Sequence, residues 1–539
     1  MQRRPANLAK LLGVILSALF LGLGGACQEK PKEQPSPEPK EPALRLYALS
    51  NLAGALEPCG CQKDMLGGVD HLAALVEEGE KVAPTLVVGA GPLFFMNPSL
   101  EESRKTQDTW KAEAIAQSLK DVGVTAWTPG YNDWAAGNEE LGKLTKTSAA
   151  DLLAANLSGV AGAKATRLVK VGNYQVGIAG VSLPKRDGDL PSAVESKDLT
   201  PALKAARDEL KQQGAQLLVA LVSAPRGEVL RLAELAEGFQ ILVVGKPFDQ
   251  GEANDKPIPP TLVGKTLVIQ GQNHAQSVAR VDIYLRDGSF ELQDGSGLSA
   301  QSERESLQGR IADLEKRIPA WESAKSLPPS ELEKKRGDLA DLKAKLKKLS
   351  DVKAPTKGSF FRYELVPVKE SAGESKSVAT LFANYYKRVN DHNKEAFKDR
   401  MPPPVPDGES GYIGVEKCAS CHTDEFKFWK TTRHADAYAT LSTQHKEFNL
   451  DCVSCHVTGY EKPGGTTVTH VDGLTNVQCE VCHGPGEKHA KDPKKAGLIT
   501  RTPLQTLCAG SCHHPPHVSE DWDVNQAWPH IIGPGHGKE

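Results

Sequence analysis

From Ala43 onward the chain alternates short apolar runs, rich in β-branched residues, with longer stretches whose apolar positions recur at helical spacing. The runs cover residues 44–50, 84–90, 124–127, 175–181, 216–223 and 239–244. Between them lie helix-like segments at 69–81, 111–122, 201–213 and 228–237. Such alternation predicts an α/β domain with a largely buried sheet, because strands covered on both faces read as continuous apolar runs. Two further strands are expected at 266–270 and 279–285.

The period changes over residues 302–350. Leu307, Ile311, Leu314 and Ile318 are spaced 4, 3 and 4, and Leu332, Leu339, Leu342, Leu346 and Leu349 are spaced 7, 3, 4 and 3. This predicts an antiparallel helical hairpin with a coiled-coil seam, a spacer or packing arm rather than a partner site. Ser302 with Glu305 and Ser330 with Glu333 are capping-box starts. Pro319 and Pro328-Pro329 are expected to interrupt the arms. A returning strand at 360–368 makes the hairpin an insertion, so the α/β domain spans 43–370. A helix over 377–389 and the stiff Met401-Pro402-Pro403-Pro404 form a connecting stretch at 371–410.

The N-terminus has a different logic. Arg3 and Arg4 precede an apolar run at 11–23 and then Gly24-Gly25-Ala26-Cys27. That is the length and flanking pattern of an export signal over residues 1–27. Cys27 after small residues resembles a lipoprotein cleavage site whose thiol is acylated; simple cleavage to a soluble periplasmic form is the alternative. Residues 28–42, rich in Pro, Glu and Lys, cannot bury apolar surface and read as a tether. The expected location is the periplasm or outer membrane, with the membrane reached through the lipid anchor. Sixty-five basic and 68 acidic residues give a net charge of −3, well mixed along the chain. That balance implies neither a nucleic-acid partner nor an acidic membrane surface.

Eleven cysteines divide cleanly. One is Cys27, two are Cys59 and Cys61, and eight fall in pairs, each followed by histidine. Cys418/Cys421/His422, Cys452/Cys455/His456 and Cys479/Cys482/His483 spell C-x-x-C-H, the attachment signature for haem c. Each thiol forms a thioether with a haem vinyl group, and the next histidine reaches the iron. Zinc sites and disulfides do not require histidine after every second cysteine. Cys508, Cys512 and His513 form a fourth pair with one extra residue, for which a haem with a longer loop and a disulfide both stay open. Cys59-Gly60-Cys61 is either a redox pair, a soft metal-ligand pair or an ordinary loop thiol pair.

No methionine lies beyond Met401, so Met/His ligation is not expected in this region and a second histidine is expected on most irons. The available ones are His434, His445, His470, His489, His514, His517, His530 and His536.

From Gly411 to the end, the order of features resembles the tetrahaem cytochrome c-554 type. Tyr412-Ile413-Gly414 precedes the first pair, and Trp429 and His434 follow it. Thr458-Gly459-Tyr460 follows the second, Gly484-Pro485-Gly486 and His489 the third, and Trp528-Pro529 closes the region. The resemblance implies a mostly α or irregular multihaem domain over 411–539, with distal ligands His434, His489 and His536. It also implies that one haem lacks a distal ligand and is open to small molecules. The long fourth loop and the altered end around His536 depart from the pattern.

The α/β part resembles a 5′-nucleotidase-type metallophosphoesterase over residues 44–290, in frame but not in ligands. Where that family has D-x-H-G, G-D, G-N-H-E and G-H-x-H, this chain has Ser50-Asn51-Leu52-Ala53-Gly54, Gly91-Pro92, Gly130-Tyr131-Asn132-Asp133 and Gly245-Lys246-Pro247-Phe248. Ala224 stands where a further histidine is expected. A two-metal hydrolase needs carboxylates and imidazoles at these places, so this domain is expected to be inactive. The expected function is electron transfer with periplasmic or membrane redox partners. A haem enzyme acting on a small nitrogen compound is the alternative, and phosphoester hydrolysis stands behind both.

Overall fold

The structure, a computed structural model, describes residues 39–58, 65–183, 190–246, 254–324, 327–349, 355–514, 518 and 522–533. The export signal with Cys27, most of the tether, Cys59, Cys61, Pro247-Phe248, His517 and His536 lie outside the described residues.

β1 (Leu44–Ser50), β2 (Thr85–Ala90), β3 (Val124–Thr128) and β4 (Asp151–Leu152) run parallel. β5 (Leu157–Ser158) belongs to a separate two-stranded ribbon, and β6 (Thr166–Val171) and β7 (Tyr174–Ser182) form a hairpin. β8 (Glu195–Ser196) completes the ribbon, and β9 (Leu217–Ser223) and β10 (Ile241–Gly245) extend β7 in parallel. β11 (Thr261–Val263) and β12 (Thr266–Ile269) finish this second sheet in the order β11-β12-β10-β9-β7-β6. β13 (Ser277–Tyr284) returns antiparallel beside β1, and β14 (Gln293–Asp294) and β15 (Phe360–Pro367) complete a first sheet of order β14-β15-β13-β1-β2-β3-β4.

Strand alternation builds the layers. Leu44, Leu46 and Ala48 of β1 face Leu217, Val219 and Leu221 of β9, so the sheets bury one face each against the other. Tyr47 and Leu49, on the opposite face of β1, pack under helices α1 (Val69–Glu80), α2 (Lys105–Asp121) and α3 (Asn138–Ser148). Leu218, Ala220 and Val222 of β9 pack under α4 (Leu199–Gln212) and α5 (Arg226–Leu235). The result is a four-layered α/β/β/α body whose central strands are apolar on both faces. Each fully covered side chain of this kind contributes about 1.5–3 kcal/mol. A two-point buried ion pair, Arg45 Nε to Asp282 Oδ1 at 2.6 Å and Nη2 to Oδ2 at 2.9 Å, pins β1 to β13.

The expected hairpin is α6 (Leu298–Ala324) and α7 (Pro329–Leu349), joined through Leu307, Ile311, Leu314, Leu339, Leu342 and Leu346. Lys343–Glu315 at 2.7 Å, together with Arg336–Glu322, sets an antiparallel register. It is inserted between β13 and β15, as the returning strand requires. Two details differ from expectation. α6 starts four residues before Ser302, because Asp294 Oδ2 already accepts the Leu298 amide at 2.6 Å. It also runs through Pro319: Leu307, Ile311 and Leu314 pack in the seam before it, and the Arg336–Glu322 pair ties the helix to α7 beyond it.

α8 (Lys376–Ala396) is longer than the expected 377–389 and is not a free connector. Val378, Phe382, Tyr385 and Val389 complete the core between α1 and α2. The Pro-rich segment 401–406 has no regular secondary structure, and the described residues from there to 533 form short helices, turns and loops.

Candidate haem centres

Each cysteine pair lies on or directly beside one short helical turn. Val415–Ala419, Val453–His456, Cys479–His483 and Thr506–Ser511 carry the four first cysteines or their immediate successors. The His422 amide returns to the Cys418 carbonyl at 2.9 Å. In the fourth pair the His513 amide returns to the Cys508 carbonyl at 2.8 Å, so the extra residue is absorbed in the turn and the histidine leaves it at the same point. All eight cysteines are free thiols, including Cys508 and Cys512.

The turns meet in pairs. The thiols of Cys418 and Cys479 touch; this contact pushes Cys418 up and draws Cys479 down. Cys455 and Cys512 touch likewise, which holds Cys455 at about 6 and raises Cys512. Burial pushes Cys482 to about 11 and Cys452 to about 12. The first pair therefore lies beside the third, and the second beside the fourth.

The thiols differ in cover: Cys421 is exposed while the other seven of the four pairs are partly covered. It follows the end of the Val415–Ala419 turn, and the third motif covers Cys418 but not Cys421; its thiol meets only Ser420 Oγ, at 3.8 Å, among the contacts described. The first motif thus offers one thiol inside the cluster and one at its solvent edge.

Two imidazole couples stand out. The rings of His422 and His489 have centres 6.2 Å apart with planes 30° from parallel, and those of His434 and His513 are also 6.2 Å apart, tilted by 50°. An iron between two imidazoles sits about 2 Å from each ligating nitrogen, which puts the ring centres about 6 Å apart. Direct stacking would bring them closer, as His513 and Trp522 are at 4.8 Å. His434 is held below the usual imidazole range by burial and then by His513, so it is neutral and able to donate its lone pair.

The other two motif histidines are oriented by backbone. His456 Nδ1 lies 2.5 Å from the Ala437 carbonyl, and His483 Nδ1 lies 2.7 Å from that of Thr500. A carbonyl accepts only from N–H, so Nδ1 carries the proton, which leaves Nε2 as the nitrogen that would ligate the iron of a bound haem. Paired thiols, imidazoles oriented by backbone and ring couples at the spacing that an iron would need together fit haem c. Of the expected distal ligands, His434 and His489 each face a motif histidine; His536 is outside the described residues. His445 and His470 sit in loops, His470 against Thr469 Oγ1 at 3.2 Å.

The frame around these centres comes from residues that periodicity did not reveal. Glu480, only 2% exposed and inside the third motif, accepts from the amides of Ile413 (3.0 Å), Gly414 (2.8 Å) and Gly486 (2.7 Å). Gln478 Oε1 accepts the Val415 amide at 2.7 Å, and Trp429 Nε1 donates to the Val477 carbonyl at 2.9 Å. Thus Tyr412-Ile413-Gly414 is the strap that joins the first and third motifs. A C-x-x-C-H with a carboxylate between its cysteines was the only signal available.

In the α/β body the positions compared above with the phosphoesterase motifs do converge at the carboxyl ends of the strands, but protein atoms use them. Asn51 Oδ1 accepts the Lys246 amide at 2.7 Å, and Lys246 Nζ pairs with Asp255. Asp133 accepts from Leu93 and Phe94 (both 2.8 Å) and from Gly130 (2.9 Å), although burial pushes its carboxyl up to about 7. Backbones touch here: a Cβ on Gly130 would lie 2.3 Å from Pro92 N, and one on Gly245 would lie 2.5 Å from the Gly91 carbonyl. Among the described residues no group of three or more His, Cys, Asp or Glu gathers around a metal-sized point.

Residues 417–484 match the family "Cytochrome c554 and c-prime". Cytochrome c-554 of Nitrosomonas europaea is 35% identical over 105 residues, which is 16% of this chain and 45% of that protein. The chain therefore spans less than half of that relative. A 5′-nucleotidase precursor from Thermus thermophilus aligns with a TM-score of 0.43 and 16% identity, over 69% of this chain and 61% of that one. A sulfate thiohydrolase from Thermus thermophilus gives 0.43 and 16%, over 66% and 62%. A calcineurin-like phosphoesterase from Bacillus subtilis gives 0.38 and 18%, over 46% and 86%. The α/β body is similar in arrangement to 5′-nucleotidase-type phosphoesterases, and the C-terminal part is similar to the cytochrome c554 family, whose cofactor is covalently bound haem c.

Proposed function

We propose that this chain is an exported, multihaem c-type cytochrome that relays electrons between periplasmic or membrane redox partners. Four haems c are attached at Cys418/Cys421, Cys452/Cys455, Cys479/Cys482 and Cys508/Cys512, with His422, His456, His483 and His513 as proximal ligands. His489 serves the first iron and His434 the fourth, with His536 the candidate for a further one. Cys27 carries a lipid anchor, and residues 28–42 hold the body off the membrane. The α/β body is not a hydrolase in this reading.

The observation that carries the reading is the pair of 6.2 Å imidazole couples, each joining a motif histidine to one outside the motifs. Haem, when bound, supplies a one-electron couple whose potential is lowered by bis-histidine ligation. The chain's own residues do the rest. The thiols fix the macrocycle, and the carbonyls of Ala437 and Thr500 hold His456 and His483 in one tautomer. Contacts between the turns keep the centres close enough for transfer.

The test is an intact mass and optical spectrum of the chain produced with a c-type maturation system. Four covalent haems that reduce and reoxidise reversibly are expected, with an acylated Cys27 in the membrane fraction. A chain recovered without covalent haem would sink the reading. Turnover of hydroxylamine or a nitrogen oxide at an open iron would move it to the enzyme class.

A further inference from the structure

The five residues leading into the second motif are held from outside the haem region. Arg104, Gln107, Asp108 and Lys111 fall on one face of α2 and its cap, at helical spacing. Gln107, 1% exposed, accepts the Leu450 amide at 3.0 Å and donates to Asn449 Oδ1 at 3.3 Å. From α8, Asn393 donates to the Phe448 carbonyl at 2.9 Å, and Asn390 accepts the Phe448 amide at 3.0 Å. Beyond these, Lys446 pairs with Glu57 of the loop after β1. Asn449 in turn accepts the Cys452 and Val453 amides through its carbonyl, both at 3.0 Å.

Asp451 is the charged centre of this contact. Lys111 Nζ donates to its Oδ2 at 2.6 Å, and Arg104 bonds its Oδ1 and also reaches the Leu450 carbonyl at 3.3 Å. Side-chain exposure is 14% for Lys111 and 33% for Asp451, so the group is shielded without being sealed. Burial alone would raise the Asp451 carboxyl; Lys111 and Arg104 outweigh it and hold the group well below the usual carboxylate range. Asp108 adds a second carboxyl whose ionisation burial opposes. Asp451 is peptide-bonded to Cys452, so its carboxylate and that attachment thiol cannot move independently.

We propose that the α/β body sets the seating and the reduction potential of the haem held by Cys452, Cys455 and His456, with Lys111 and Arg104 as positioning residues acting through Asp451. This rests on the cytochrome reading above. It gives the α/β body a role that its lost metal ligands do not. Fixed charge near a haem moves its potential, because reduction adds one negative charge. Fields in a shielded site are felt more strongly than in water. Removing either cation makes the surroundings of the haem more negative and favours the ferric state; removing the Asp451 carboxylate makes them more positive and favours the ferrous one.

The experiment is a mediated spectroelectrochemical titration of the full-length, haem-loaded protein, with dithionite as reductant and ferricyanide as oxidant. Lys111→Met and Arg104→Met are each expected to lower one midpoint, Lys111→Arg to leave it in place, and Asp451→Asn to raise the same one. The other midpoints stay where they are. If all variants leave every midpoint unmoved, or if Lys111→Met and Asp451→Asn shift it in the same direction, the charge role is wrong. Should Asp451→Asn fail to accumulate, the contrast between Lys111→Met and Lys111→Arg decides. A wild-type protein without covalent haem overturns the cytochrome reading; a loaded one with unresponsive midpoints overturns only this proposal.

Discussion

Glu480 offers the sharpest test of how the haem region is held together. Its carboxylate accepts from the amides of Ile413, Gly414 and Gly486, at 2.7–3.0 Å by the shorter contact of each, in a site 2% exposed. Glu480→Ala leaves three buried N–H donors without their acceptor. At about 1–3 kcal/mol per stranded group, partly relieved by water, the loss should be about 3–5 kcal/mol. Glu480→Gln keeps the shape but turns one acceptor into a donor facing another donor, for about 1.5–3 kcal/mol. Guanidinium unfolding followed at the Soret band reports the haem region, while far-ultraviolet circular dichroism, dominated by the strands and long helices of the α/β body, follows that body. The Soret midpoint should fall in the order wild type, Gln, Ala, and the other transition should barely move. An Ala variant within about 0.5 kcal/mol of wild type would refute the strap, since that is the range of an ordinary surface substitution.

His434→Ala and His489→Ala should each convert one low-spin ferric signal to high-spin, and the double variant should convert two; unchanged spectra would dissolve the 6.2 Å couples as ligand pairs. Cys508→Ser with Cys512→Ser should lower the covalent haem count by one in intact mass, whereas an unchanged count would leave the fourth pair outside haem binding. Asp133 predicts a pH effect in the α/β body. Its folded pKa, pushed up by burial to about 7, lies above the unfolded value near 4, so between these the folded state binds the extra proton. Stability should therefore fall as pH rises through that window, by up to about 1.4 kcal/mol per unit. Asp133→Asn should flatten that slope; a wild-type curve already flat from pH 5 to 7 would show that the three amide donors hold the carboxyl ionised throughout.

Much of the α/β body is legible because β1, β2, β9 and β10 are buried on both faces, so their apolar runs are uninterrupted and sit within a residue or two of the expected spans. β6 was not foreseen; its pattern is half-exposed and alternates weakly, as an edge strand does. α2 begins six residues before the expected 111, because its first turns are polar and are held outside the apolar core: Gln107 meets Asn449, and Lys111, with Arg104 at the cap, meets Asp451. That contact pairs residues more than 330 positions apart, and no local period encodes it. The motif histidines were legible from spacing alone. The unequal cover of Cys418 and Cys421 was not, because it depends on the third motif packing against only one of them. His434 and His489 were singled out by family likeness, and only geometry matches them to His513 and His422. The role of Glu480 follows from tertiary contacts with residues 413 and 414, which a carboxylate between two motif cysteines does not by itself specify.

The most direct test of the central claim is the low-temperature EPR spectrum of the oxidised, haem-loaded protein, recorded before and after nitric oxide. The expected result is at least two low-spin bis-histidine ferric signals that nitric oxide leaves intact, from the His422–His489 and His434–His513 irons. A spectrum made up entirely of high-spin, nitric-oxide-binding haem would contradict the electron relay and place the function in ligand chemistry at open irons.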